Sequence, residues 1–176
     1  MAKDNLPRLR AEALSEPPRV VLLEPEIPQN TGNIGRMAAA LQCPLHLVEP
    51  LGFRVDEKAV RRAGLDYWPL VEMHLHPNLE SFRTAHPSSR VVLFSAVGQR
   101  SCFEASFRPG DALVFGRESV GLPLPLLEAH RDTTYALPTI GGVRSLNLAN
   151  TVAVVLYEAY RQLGAFETLR LEPPTQ

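Results

Sequence analysis

The chain has 176 residues and a mass of 19.5 kDa, the size of one ordinary domain, and 45% of its residues are apolar, enough to bury a core. A formal net charge of −1 and a pI of about 6.5 exclude a globally basic nucleic-acid binder, so any nucleic-acid surface has to be a local basic patch. No apolar run is long enough to span a bilayer, residues 1–18 lack an apolar core of signal-peptide length, and Cys43 and Cys102 stand far apart outside any ligand motif, which predicts a cytoplasmic protein with two free thiols and no membrane partner.

In chain order, residues 1–18 mix charges with Pro7, Pro17 and Pro18 and read as a loose or partly helical extension. RVVLLE (19–24) is an apolar, β-branched run and predicts a buried strand. PEIPQNTGN follows as a turn-rich segment, and IGRMAAALQ (34–42) predicts a helix that Asn30 or Thr31 could cap. LHLVE (45–49) is a second strand, and DEKAVRRAG (56–64) a short charged helix stopped by Gly64. Next come a strand over 70–76, a helix over 78–86, strands over 90–97 and 111–116, a short helix over 123–130 and a last strand over 133–138. SLNLANTVAVVLYEAYRQLG (145–164) predicts a long helix ending at Gly164, and the tail 171–176 reads as frayed. Strands alternating with helices imply a mainly parallel sheet covered on both faces, with ligands received at the loops beyond the strand C-termini. The predicted organisation is an extension (1–18), one domain (19–164) and a tail (165–176).

Three segments place polar and glycine residues at such loops. In NTGNIGR (30–36), Asn30 and Arg36 read either as a carboxamide and a guanidinium shown to a substrate or as a helix cap and a solvated residue. In FGRESVGLP (115–123), Gly116 and Gly121 bracket Arg117, Glu118 and Ser119. The turn either offers backbone N–H groups to a nucleotide-like ligand or simply joins strand to helix, with Glu118 and Ser119 capping the next helix. In LPTIGGVRSLNLAN (137–150), Ser145 and Asn147 could cap the last helix and face a ligand. Asn147 and Asn150 so early in a helix conflict with propensity, as residues kept for function do. Neither a phosphate-gripping G-x-x-x-x-G-K-[ST] nor a G-x-G-x-x-G sequence is present.

Taken together, in this order and at these separations, the segments resemble the three signature motifs of the SPOUT methyltransferases. EPEIPQNTGNIGR (24–36), EPLGF (49–53), KAVRRAGLDY (58–67) and RSLNLANTVAVVLYEAYRQLG (144–164) are most similar to the small, single-domain tRNA wobble-position (cytidine/uridine) 2′-O-ribose methyltransferases, over about Val20 to Gly164. The resemblance implies an α/β fold with a C-terminal trefoil knot, which periodicity cannot show. It further implies a homodimer, S-adenosylmethionine as methyl donor with S-adenosylhomocysteine as product, and tRNA as substrate. Carried over motif by motif, Phe94, Gly116, Leu137 and Ser145 are the implied cofactor contacts, Asn30 and Arg36 the substrate-side pair, and Glu118, Asn147 and Asn150 the polar positions around the site. Arg117 and Gln29 stand where close relatives often have proline, and TIGGV (139–143) is richer in glycine than the usual knot loop.

Methyl transfer from a sulfonium needs orientation above all. A ribose 2′-hydroxyl is a weak acid, and no histidine lies in the motifs, so Arg36 is the expected group to polarise and position it. His46, His74, His76, His86 and His130 read as surface or core residues, no His/Cys/carboxylate cluster suggests a metal site, and no metal is expected. Lys58, Arg61 and Arg62 on one short helix form the expected RNA-contacting patch. Apolar residues around much of the 145–164 helix suit burial on more than one side, as in a two-fold dimer. The rival readings are an enzyme of the same fold acting on another tRNA or rRNA position, and a non-catalytic RNA-binding protein of that fold.

Overall fold

A computed structural model describes residues 6–54 and 67–173; the helix expected over 56–64, and with it Lys58, Arg61 and Arg62, lies outside the described residues. The strands are β1 (Arg8–Ala11), β2 (Arg19–Leu23), β3 (Leu45–Val48), β4 (Met73–His76), β5 (Val91–Phe94), β6 (Arg100–Ser101), β7 (Ala112–Phe115), β8 (Thr134–Ala136) and β9 (Leu169–Glu172). Among the described residues the helices are α1 (Pro28–Leu41), α2 (Leu79–Ala85), α3 (Leu124–Ala129) and α4 (Leu148–Gln162), with short 3-10 turns between some elements.

Seven strands form one parallel sheet in the order β4-β3-β2-β7-β5-β8-β6. Every residue of β3, β5 and β7 is buried, as in a sheet covered on both faces. Alternation sorts their side chains. Val20, Leu22, Leu45, Leu47, Leu113 and Phe115 join Ile34 of α1 and Val152, Val155, Leu156 and Ala159 of α4 in one core. Val21, Leu23, Val48, Leu93 and Val114 face the other way, onto Phe82 of α2 and Leu126 and Leu127 of α3. No helix among the described residues is long and apolar enough to cross a membrane. Cys43 and Cys102 are buried free thiols, and burial pushes that of Cys43 up to about 12.

Two expectations are corrected. The extension is irregular over most of its described residues but forms a strand over Arg8–Ala11: β1 pairs antiparallel with β9, Leu9 opposite Leu171, and Arg10 Nε donates to Glu172 Oε2 at 3.0 Å. The tail is therefore paired at 171–172 rather than frayed. Each strand is too short to announce itself, and its partner is some 160 positions away in the chain. Second, α1 begins at Pro28, not Ile34. Its N-cap is Ile27, which makes no side-chain cap, and Asn30 and Thr31 lie buried in the first turns. Pro28 has the preset φ suited to a first helical turn, and the missing cap comes from elsewhere in the chain.

Candidate active site

The cap is Glu118. From the loop after β7 its Oε2 accepts the Glu26 N–H at 2.9 Å, and its Oε1 accepts the Ile27 N–H at 3.3 Å and Asn30 Nδ2–H at 2.9 Å. A carboxylate here meets the positive end of α1. The arrangement is reciprocal, because Glu26 accepts the Ser119 N–H and Oγ–H, each at 2.9 Å. These two bonds hold the Glu26 carboxyl below its ordinary value. Arg117 stands 3.1 Å from Glu24, completing the clasp with a partly exposed ion pair. Glu118 and Ser119 thus bind the segment before α1 and do not cap α3, whose N-cap is Pro123.

A third loop closes on the same point. Asn147, N-cap of α4, accepts the Ala149 N–H at 2.9 Å and the Asn150 N–H at 3.4 Å through Oδ1. Its Nδ2 donates to Asn30 Oδ1 at 2.9 Å. The amide of Asn30 is held on both sides: carboxylate against its NH₂, carboxamide donor against its oxygen. The flipped orientation would set oxygen against carboxylate, so the network itself fixes which way Asn30 points. Glu118, Asn30 and Asn147 form one chain of hydrogen bonds from the loop after β7, through the first turn of α1, to the N-cap of α4.

Beside this chain opens a cleft of about 490 Å³ beyond the C-termini of β5, β7 and β8, within the size range of small-molecule sites. Its lining includes Phe94, Gly116, Leu137 and Ser145, together with Asn30, Glu118 and Asn147. Arg36 and Asn150 do not line it. Arg36 is exposed on α1, its guanidinium 5.3 Å over the ring of Tyr67, whose hydroxyl donates to the Gly32 carbonyl at 3.0 Å. Ser145 stands in the exposed loop before α4 and is not its cap.

Gly116 has a reason in the loop's own backbone. A Cβ there would fall on the Gly121 carbonyl and the Leu122 nitrogen, both at 2.5 Å. Arg117 and Gly121 bridge the loop through N–H···O bonds of 3.2 and 2.9 Å, and Gly121 takes φ +74° to do so. An S-adenosylmethionine-sized ligand fits the cleft on two observations: its volume of about 490 Å³, and a mixed lining with apolar walls from Phe94 and Leu137 beside the polar Asn30, Glu118 and Asn147. Sequence reasoning missed Glu26 and Arg144 at this end of the sheet. Glu26 sits in a turn-rich stretch where its partner Ser119 is 93 positions away, and Arg144 carried a charge beside Ser145 that could have drawn notice.

The SpoU rRNA Methylase family model matches residues 17–157. A tRNA (cytidine(34)-2'-O)-methyltransferase of Acidovorax sp. (strain JS42) is 48% identical over 160 residues, 89% of this chain and 96% of that protein. A solved structure concerned with the 2-OH methylation of C/U34 on tRNA is 52% identical, with a TM-score of 0.78 over 84% of this chain and 97% of that one. The AdoMet-bound rRNA methyltransferase of Sinorhizobium meliloti is similar at 25% identity and a TM-score of 0.72, over 86% of this chain and 59% of that one. With a parallel sheet, three loops joined through Asn30 and a match spanning most of its length, the chain belongs to the SpoU rRNA methylase family.

Proposed function

We propose that the protein transfers a methyl group from S-adenosylmethionine to the ribose 2′-hydroxyl of the tRNA wobble nucleotide. The hydrogen-bonded chain Glu118–Asn30–Asn147 at the mouth of the cleft carries this reading, because it ties the three signature loops into one rigid polar edge beside a ligand-sized space. The close relatives named for cytidine-34 methylation support the substrate.

In this reading Phe94, Gly116, Leu137 and Ser145 hold the donor, which supplies an electrophilic methyl group when bound. Asn30, immobilised on both sides, presents its second amide proton to the RNA. Arg36, exposed and outside the cleft, meets the RNA from the substrate side, polarising the hydroxyl and pairing with phosphate. Asn150, exposed in the first turn of α4 and outside the cleft, is a further polar position on the substrate side. Lys58, Arg61 and Arg62 supply the local positive patch that a chain of net charge −1 otherwise lacks. Residues 19–164 form the methyltransferase domain, threaded as a trefoil knot, and the protein works in the cytoplasm. Methyl transfer itself uses no metal.

The protein acts as a homodimer. On α4, Val154 and Tyr157 stay 39% and 50% exposed on the side opposite the buried Val152, Val155 and Leu156. A second copy of the helix about a two-fold axis would cover them.

Purified protein incubated with labelled S-adenosylmethionine and unmodified tRNA tests the function. Label mapped to the wobble ribose supports it; label elsewhere on tRNA, or only on rRNA, overturns the position. Arg36→Ala should remove most transfer while cofactor affinity stays near normal, and a collapse of cofactor binding in that variant would contradict its place. Sedimentation showing an active monomer of 19.5 kDa at micromolar concentration would refute the dimer.

A further inference from the structure

Three histidines far apart in the sequence meet at the sheet edge remote from the cleft. His46 lies within β3, His76 ends β4, and His86 is the C-cap of α2. Parallel register puts His46 beside His74 and Val48 beside His76, so His46 and His76 share the sheet face that Phe82 of α2 covers. This corrects the expectation that no cluster of metal-ligating residues forms: residues 30 and 40 positions from His46 are joined to it only by the sheet and the return of α2.

We propose that His46, His76 and His86 bind a divalent transition-metal ion of the zinc class. One ligating nitrogen from each lies within 4.8 Å of the other two, and His46 Nδ1 is 2.9 Å from His76 Nε2. Tetrahedral zinc with Zn–N of about 2.0–2.1 Å wants nitrogens ~3.3 Å apart, so side-chain rotations on the order of an ångström close the set. A second observation points the same way. His46 is 0% exposed, yet its Nε2 finds no hydrogen-bond partner among the described residues. Buried polar atoms are nearly always satisfied, and with Nδ1 paired to His76 the bare Nε2 leaves the ring one partner short, a demand that a turned ring meets by giving one nitrogen to an ion.

The surroundings favour a borderline ion. No carboxylate belongs to the set, which argues against calcium or magnesium. Two charges stand nearby. Arg19 opposes a cation, although its Nη1 is engaged by the Gly110 carbonyl at 2.9 Å. Glu72 Oε1 accepts from His74 Nε2 at 3.0 Å, and the His74 ring stacks on His46 at 4.8 Å, walling the site. A bound ion would pin edge strand β4 to β3 and to the end of α2, and three protein ligands leave a fourth position for water.

The test uses full-length protein purified without a histidine tag and stripped with chelator. Zinc alone is titrated against a chromophoric competitor, and cobalt reports geometry through its visible ligand-field bands. One ion per chain is expected, with a four-coordinate cobalt spectrum and a rise in Tm on adding zinc. His76→Ala and His86→Ala should each weaken binding about 100-fold or more, since even second-shell partners cost roughly 10- to 100-fold. His130→Ala, outside the cluster, should not. X-ray absorption of zinc-loaded wild type, which needs no variant to fold, should read three imidazole ligands. No zinc uptake at micromolar concentration, uptake unchanged in His86→Ala, or a sulfur-ligated ion would each overturn the site.

Discussion

The two walls of the cleft are built differently. One wall, residues 24–31 with 116–121, is clasped: Glu118 bonds Glu26, Ile27 and Asn30, Glu26 bonds Ser119 twice, and Gly121 closes the loop on Arg117. The other is reached by the loop over 138–146, which brings Arg144, Ser145 and Leu146 to the cleft and is exposed throughout. Its side-chain hydrogen bond is Thr139 Oγ1 to the Val143 carbonyl at 3.4 Å, Ile140 is fully solvated, and Gly141 and Gly142 touch nothing that a Cβ would meet. A clasped wall is preorganised and contributes orientation without further ordering cost. A solvated wall has little to hold it until a ligand does, so part of the binding free energy goes into ordering it.

The largest expected effect comes from breaking the clasped wall at its tightest point. Gly116→Val should lower cofactor affinity by at least about 100-fold, or ~2–3 kcal/mol, because a side chain there displaces Gly121 and Leu122. Calorimetry with circular dichroism in parallel separates a lost pocket from a lost fold, and near-normal affinity would show that the loop yields cheaply. Glu118→Ala should come next. It leaves two backbone N–H groups and the Asn30 amide without their acceptor, costing about 1–3 kcal/mol of stability by denaturant unfolding, with Glu118→Gln recovering part of it.

On the solvated wall the sign reverses. Gly141→Ala and Gly142→Ala should tighten cofactor binding by about 2- to 5-fold, because alanine fits without clash and has less freedom to lose. Weaker binding would mean that the ligand itself needs these positions bare. The smallest effect is that of pH. The Glu26 carboxyl is depressed below 4.5 by its bonds from Ser119, so its contribution is complete above that value and is lost as the pH falls through the lower folded one. Cofactor affinity should therefore be flat from neutrality to about pH 4.5 and then decline, and Glu26→Gln should flatten the decline.

The sequence alone determined the elements whose signal is local. Runs such as VVLL and ALVF are continuous apolar stretches because both faces of the sheet are covered, and the parallel sheet followed from their alternation with helices. It also marked Asn30, Gly116, Glu118 and Asn147, through the resemblance of whole motifs rather than through spacing, and the structure brings these four to one cleft. Other features were settled only in three dimensions. The start of α1 depends on a carboxylate about 90 positions away, so capping rules placed it six residues late. Arg36 shares a motif with Asn30, yet six residues along a helix turn it out of the cleft and onto Tyr67. The β1–β9 ribbon joins the two ends of the chain, and the histidine cluster gathers two strands and a helix end. In each case the deciding partner lies tens of residues or more away, and a hydrogen bond or a ligand set between such partners leaves no periodic trace in the sequence of either one.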